Sequence, residues 1–255
     1  MGATIQVEQS GGLAVVRLAR EHANAINRQL VLDLTAAADE LAADESIRGV
    51  LLTAAGKIFC PGLDLIELSE YPRDAMESFM AKFGDLILRL FVFPKPLIAG
   101  VSGHALAGGC VLAMTADWKI LKAGSRIGLN EIRVGVALPF EVTQILRGSV
   151  PPGRLEEVAL VGRNYTGADA VAAGLAHELH DALGFEAACL ARLAEFASKD
   201  PFAYFRTKHY LRAELVERAA ADRAAHRREF IDSWFSEGTK RRVAEIVAGL
   251  KAGLA

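Results

Sequence analysis

The stretch Pro96–Ala116, PLIAGVSGHALAGGCVLAMTA, carries no Asp, Glu, Lys or Arg. It is long enough to imitate a membrane span, which takes about 20 mainly apolar residues. Its interior argues otherwise. Gly100, Gly103, Gly108 and Gly109 fall within ten positions, with His104 among them. Glycines at that density break a helix that would have to satisfy its own backbone in lipid. The stretch instead predicts a buried strand over Leu97–Val101, a glycine loop, and a buried helix that opens at Gly108-Gly109 and runs to Ala116.

The flanks extend this pattern in both directions. Ile5–Glu8 and Ala14–Leu18 are short β-branched runs separated by Ser10-Gly11-Gly12, a hairpin signal. Arg28–Ala43 places Leu30, Val31, Leu34, Ala37, Ala38 and Leu41 at helical spacing. Gly49–Thr53 reads as a buried strand and Ala54–Gly62 as a loop. Asp74–Phe93 reads as a helix stopped by Pro94 and Pro96. Downstream, Trp118–Leu121 reads as a strand, and the Gly- and Val-rich region after Gly124 as loop to about Pro139. Glu141–Leu146, Arg154–Val161 and Ala168–Ala173 read as helices and Leu175–Leu179 as a last strand. The remainder reads as helix to Leu250. Strand–helix alternation over about 180 residues predicts an α/β fold with a largely parallel sheet. A helical extension follows on the same core. No Ser/Gly linker separates two domains, and no repeat of 20–50 residues is present.

Composition narrows the function classes. The chain has 255 residues, 29 Lys plus Arg against 31 Asp plus Glu, and 52% hydrophobic residues. Such a balance excludes disorder and argues against broad electrostatic binding of nucleic acid or anionic membrane. Cys60, Cys110 and Cys189 lie far apart, which predicts a reducing compartment without disulfides or structural zinc. Met1–Gly12 has neither a basic nor an apolar signal segment, so a cytoplasmic location is expected.

Several chemistries lack their motif. No Gly-x-Gly-x-x-Gly follows the early strands, and Gly56-Lys57 has no upstream P-loop glycine. Ser102 is not in a Gly-x-Ser-x-Gly elbow. His177-Glu178-Leu179-His180 misses zinc-protease spacing, and on a strand its histidines diverge; they read as edge or surface residues. The arginine-rich run from Arg206 reads as a solvated face or a subunit contact.

Two loops remain: Lys57–Leu65, KIFCPGLDL, and Ser102–Val111, SGHALAGGCV, each between a strand and a helix. Their glycines permit close backbone approach and leave N–H groups free to point outward. Converging, the loops could give two donors to one carbonyl oxygen. Taken singly, they could equally be simple turns.

In order, Asn24-Ala-Ile-Asn27, Phe59-Cys-Pro-Gly-Leu-Asp64, Gly103-His-Ala-Leu-Ala-Gly-Gly-Cys110 and Ile127-Gly-Leu-Asn-Glu131 resemble the crotonase (enoyl-CoA hydratase/isomerase) superfamily over nearly the whole chain. The resemblance implies a spiral of ββα units, with the CoA-thioester site in residues 1–195 and a helical trimerisation region in 196–255. It implies an acyl-CoA substrate, no separate cofactor or metal, and homotrimers or hexamers without nucleic-acid or membrane partners. By motif position, the N–H groups of Leu63 and Gly108 form the oxyanion hole. Ala25, Asn27, Pro61, Gly62, Asp64, Leu65, Gly109 and Asn130 fall on the substrate-binding surface. Pro61 departs from the small residue common in the family, but the inferred donor lies two residues on.

The family's acid–base positions then discriminate among reactions. Hydratases carry Glu three residues after the donor glycine; here it is Val111. The second position is Glu131. A third acidic position is Pro139, and the nucleophilic Asp of dehalogenases is replaced by Ala137. A single carboxylate suffices for a 1,3-proton shift, and the motifs resemble single-glutamate Δ3,Δ2-enoyl-CoA isomerases. Two alternatives stay open: hydration or hydrolysis of a specialised CoA ester, and acyl-CoA binding without catalysis. Asp64 reads better as a helix N-cap than as an acid. Cys60 and Cys110 read as packing residues and His104 as packing beneath the loop. Leu211, Leu215, Phe230 and Trp234 form apolar stripes that need a partner surface.

Overall fold

The structure, a computed structural model, describes residues 4–21 and 23–253. In chain order the elements are β1 (Ile5–Ser10), β2 (Leu13–Leu18), α1 (Arg28–Ala43), β3 (Gly49–Ala54), β4 (Ile58–Cys60), α2 (Leu65–Leu68) and α3 (Arg73–Phe91). Then come β5 (Leu97–Val101), β6 (His104–Leu106), α4 (Gly108–Met114), β7 (Trp118–Lys122), β8 (Arg126–Gly128) and a 3-10 turn over Glu131–Val134. There follow α5 (Phe140–Ser149), α6 (Leu155–Leu160), β9 (Tyr165–Thr166), α7 (Gly167–Ala172) and β10 (Glu178–His180). The chain ends with α8 (Phe185–Ala197), α9 (Pro201–Ala220), α10 (Arg223–Trp234) and α11 (Glu237–Lys251).

Apolar periodicity explains the main elements. The six apolar positions at helical spacing in α1, Leu30, Val31, Leu34, Ala37, Ala38 and Leu41, are all buried, and Asn27 caps the helix by accepting the Leu30 N–H at 3.0 Å. The six residues of β3 are buried on both faces, as a strand inside a parallel sheet must be. The large sheet has the order β1-β2-β3-β5-β7-β10, parallel except for the β1–β2 hairpin. On one face α8 packs Phe185, Cys189 and Leu193 against Val15, Leu51, Ile98 and Ile120. The main core fills the other face, with α1 and α3.

A second sheet has the order β4-β6-β8-β9. Each of β3, β5 and β7 is followed after two or three residues by a three-residue strand of this sheet, which makes the repeated ββα unit of the spiral. These small strands fall in stretches whose sequence reads as loop, because three residues offer no period to detect. The last strand of the large sheet is also displaced, from Leu175–Leu179 to Glu178–His180. Leu175 and Ala176 are apolar because they are buried in the turn after α7, not because they are strand.

The C-terminal helices dock on this core. The α9 side chains Lys208 and Tyr204 reach the Asp117 carboxylate, each at 2.8 Å, and Arg212 reaches it at 3.1 Å. Burial pulls the Lys208 ammonium down to about 8. Of the predicted stripes, Phe230 and Trp234 are covered within the chain and Leu215 is half-buried; Leu211 alone stays exposed. Trp234 packs back on the core because α10 lies against α3 and α5. No helix among the described residues is long and apolar enough to cross a membrane.

Candidate active site

The order β4-β6-β8 decides which residues meet. Immediately past the C-terminal ends of these neighbours come Gly62-Leu63, Ala107-Gly108 and Asn130-Glu131. Parallel pairing puts the three strand ends at one edge, with β6 in the middle. Residues separated by 68 positions, from Leu63 to Glu131, thereby follow neighbouring strands of one sheet.

Backbone hydrogen bonding aims the first donor. Ile26 forms an isolated parallel bridge with Leu63: the Ile26 N–H donates to the Gly62 carbonyl and the Asp64 N–H to the Ile26 carbonyl, both at 2.8 Å. Successive peptide groups of an extended segment point to opposite sides. The Leu63 N–H therefore points away from Ile26 and makes no backbone hydrogen bond among the described residues. Pro61 is exposed and withholds no donor that this pairing needs.

The second donor depends on a strained turn. Ala107 sits at φ +47° and ψ −123°, a left-handed setting that L residues rarely take. Its N–H donates to the Gly128 carbonyl at 2.9 Å, tying the turn to β8. Gly108 opens α4 with its N–H free of backbone partners among the described residues. The loops touch: a Cβ on Gly62, itself at φ +112°, would lie 3.4 Å from the Gly108 nitrogen. Two unpaired N–H groups at this contact can converge on one anionic oxygen.

Glu131 opens the 3-10 turn beside them. Its Oε2 is buried and has no hydrogen-bond partner among the described residues. Loss of water pushes its carboxyl up to about 7, against the opposing pull of the backbone N–H groups of Glu131 and Asn130. A carboxylate at that value can both take and return a proton near neutrality. Val111, one turn into α4 from Gly108, is 1% exposed and offers no proton chemistry.

A family model described as enoyl-CoA hydratase/isomerase matches residues 8–246. The chain belongs to the enoyl-CoA hydratase/isomerase family. Members of this family act on acyl-CoA thioesters. The human mitochondrial enoyl-CoA delta isomerase 1 is 26% identical over 230 residues, 89% of this chain and 76% of that protein. A Mycobacterium tuberculosis protein named "Probable enoyl-CoA hydratase EchA17" is 28% identical over 225 residues, 88% of this chain and 86% of that protein. In fold, the crystal structure of human mitochondrial Δ3-Δ2-enoyl-CoA isomerase superposes with a TM-score of 0.95 at 24% identity, covering 99% of this chain and 100% of that one. An enoyl-CoA hydratase/isomerase from Xanthobacter autotrophicus Py2 superposes with a TM-score of 0.85 at 26% identity, covering 100% and 95%.

In this family member, several expected surface residues serve the scaffold. Asp64 caps α2, accepting the Glu67 N–H at 3.1 Å, and pairs with Arg20 at 2.7 Å. Asn27 caps α1 and donates to Glu67 at 2.8 Å. Ala25 offers its carbonyl to Arg20. Gly109 is required by packing, since a Cβ there would overlap the Cys60 carbonyl oxygen. Leu65 and Asn130 are half-buried beside the Leu63 and Glu131 segments. Cys60 and Cys110 are fully buried, and burial pushes the Cys60 thiol up to about 12, which leaves it inert as a nucleophile. His104 is half-buried and accepts the Arg126 N–H. His177, next to the edge strand β10, is half-buried: it stacks on Trp118 at 4.2 Å, and burial depresses it to about 3. Among the described residues no group of His, Cys, Asp and Glu could hold a metal ion. Reading the sequence missed Arg20 and the Ala107 turn. The first lies 44 residues from the carboxylate it binds, and the second shows only as a residue before two glycines.

Proposed function

We propose that this chain is a Δ3,Δ2-enoyl-CoA isomerase. One observation carries the reading: a single carboxylate, Glu131, with one buried oxygen unpartnered, stands near neutral titration beside two free backbone donors, while buried Val111 occupies the place of a second acid. The thioester carbonyl accepts from Leu63 and Gly108. Glu131 removes a proton from C2 of a 3-enoyl thioester, and the electron pair moves onto the carbonyl oxygen as a dienolate. The two N–H groups stabilise that charge. Glu131 then returns the proton at C4, the 3,4-double bond becomes the 2,3-double bond, and no water is consumed.

Hydration is the second reading, supported by the likeness to the mycobacterial protein named as a hydratase. It requires a water held by a second acid–base group, which Val111 cannot supply. Incubation in deuterated water separates the readings. An isomerase moves the double bond of a 3-enoyl-CoA and exchanges protons at C2 and C4, and Glu131→Gln lowers the rate by roughly 10²–10⁴. A pure binding protein incorporates no deuterium, and a hydratase yields 3-hydroxyacyl-CoA.

The reading includes a homotrimer or hexamer. Phe202, Tyr210 and Leu211 stand 69%, 73% and 75% exposed around α9, apolar side chains that further copies would cover. A stable monomer at micromolar concentration by sedimentation would overturn this part.

A further inference from the structure

Arg20 lies between β2 and α1, and the hydrogen bonds it donates run to the back of the Leu63 loop. Its guanidinium donates to the Ala25 carbonyl at 3.0 Å and to Asp64 Oδ2 at 2.7 Å. Its backbone N–H donates to Asn24 Oδ1 at 2.9 Å, and the Asn24 amide donates to the Ile58 carbonyl at 3.0 Å. Ala25 precedes Ile26 and Asp64 follows Leu63, so one planar fork holds a neighbour of each member of the Ile26–Leu63 bridge. The pair is sheltered: the Arg20 and Asp64 side chains are 13% and 10% exposed, against 47% and 61% for the surface pair Arg73–Asp232. Shelter matters because solvent-exposed ion pairs hold little geometry.

The bridge itself is short. Two backbone hydrogen bonds fix which way the Leu63 peptide turns, and Gly62 beside it sits at φ +112° with no side chain to stiffen it. Asp64 anchors the far side by capping α2. Without the fork, the Asp64 carboxylate is left buried without its cation, and only the two bridge hydrogen bonds and the α2 cap hold residues 62–64.

We propose that Arg20 is a positioning residue: the Arg20 clamp on Ala25 and Asp64 sets the direction of the Leu63 N–H toward the thioester oxygen. This rests on the reading of Leu63 and Gly108 as carbonyl donors. A donor displaced by about 1 Å loses on the order of 10² in rate without touching substrate binding elsewhere.

The test reads the carbonyl directly, without requiring isomerisation. A 2-enoyl-CoA is bound to the full-length wild type and to Arg20→Ala, Arg20→Lys and Lys208→Met, and the thioester C=O stretch is recorded by Raman difference spectroscopy. The wild type is expected to red-shift the stretch; R20A loses most of the shift and R20K part of it. Turnover of a 3-enoyl-CoA by R20A falls about 10²-fold in kcat, with KM within about threefold. Lys208→Met breaks the buried Asp117 cluster at the other end of α4; it lowers stability and leaves the shift intact. Should R20A fail to fold, Asp64→Asn, which keeps a cap acceptor and removes the charge, is expected to lose the shift in its place. An R20A protein with the wild-type shift and kcat overturns the clamp while leaving the donor reading in force. Equal loss in R20A and K208M also overturns it, and no shift in the wild type overturns both.

Discussion

Gly109 lies so close to Cys60 that a Cβ on the glycine would overlap the Cys60 carbonyl oxygen. The contact presses the first turn of α4 onto the end of β4, which sets the spacing between the two candidate donor loops. Both partners are backbone, so neither can give way. Gly109→Ala is therefore expected to cost about 1–3 kcal/mol of stability. It should also lower turnover by more than its effect on folding explains, because the loops are forced apart. Urea denaturation and kcat on the folded fraction check both parts.

Ala107 predicts the opposite sign. At φ +47° and ψ −123° the residue holds a conformation suited to glycine, at a strain cost of about 1–3 kcal/mol. Glycine relieves the strain but loosens the unfolded chain by about 0.4–1 kcal/mol. Ala107→Gly should raise stability by about 1 kcal/mol, seen as a higher urea midpoint with unchanged slope. A destabilised variant would mean that the alanine methyl packs for more than its backbone costs.

The contrast between these two positions shows what the sequence disclosed. The double glycine was legible because glycine between an apolar run and a helix marks a turn or a close backbone approach. The strain at Ala107 was hidden, since alanine carries no conformational signature. Helix α1 was legible to the residue, because its 16 residues contain several periods. Strands β4, β6 and β8 were not, because three residues contain none, yet their order brings Leu63, Gly108 and Glu131 together. Arg20 looks like any loop arginine until the fold delivers Asp64 to it. The apolar character of Phe230 and Trp234 was read correctly, but whether a stripe faces its own core or a partner depends on tertiary packing.

Glu131 makes stability and activity respond to pH in opposite directions. Its carboxyl is raised from an ordinary 4.5 to about 7. Between those values the native state binds more protons than the unfolded chain, so stability falls as pH rises across that window. The penalty is complete above about pH 7 and is about 3 kcal/mol, from about 1.4 kcal/mol per unit. Glu131→Gln should be more stable than the wild type at pH 8 by up to that amount, and nearly equal at pH 4. Activity needs the ionised form, so kcat/KM should climb with pH and level off above about 7. A difference in stability that does not vary between pH 4 and pH 8 would remove the desolvated carboxyl from the account.

Val111 separates the two chemistries of the family most sharply. It lies one helical turn from Gly108, buried at 1% exposure. On the proposed reading of Leu63, Gly108 and Glu131, the site lacks one acid–base group for hydration. Val111→Glu is expected to create weak hydration of 2-enoyl-CoA where the wild type has little. The gain stays small because a carboxyl buried among apolar neighbours resists ionisation. The same burial should cost on the order of 1–3 kcal/mol of stability. Loss of the conjugated enoyl-thioester absorbance, with 3-hydroxyacyl-CoA identified by mass, measures the gain. Strong hydration by the unmodified protein would refute the argument at its root, because a valine would then stand where that reaction needs a carboxylate.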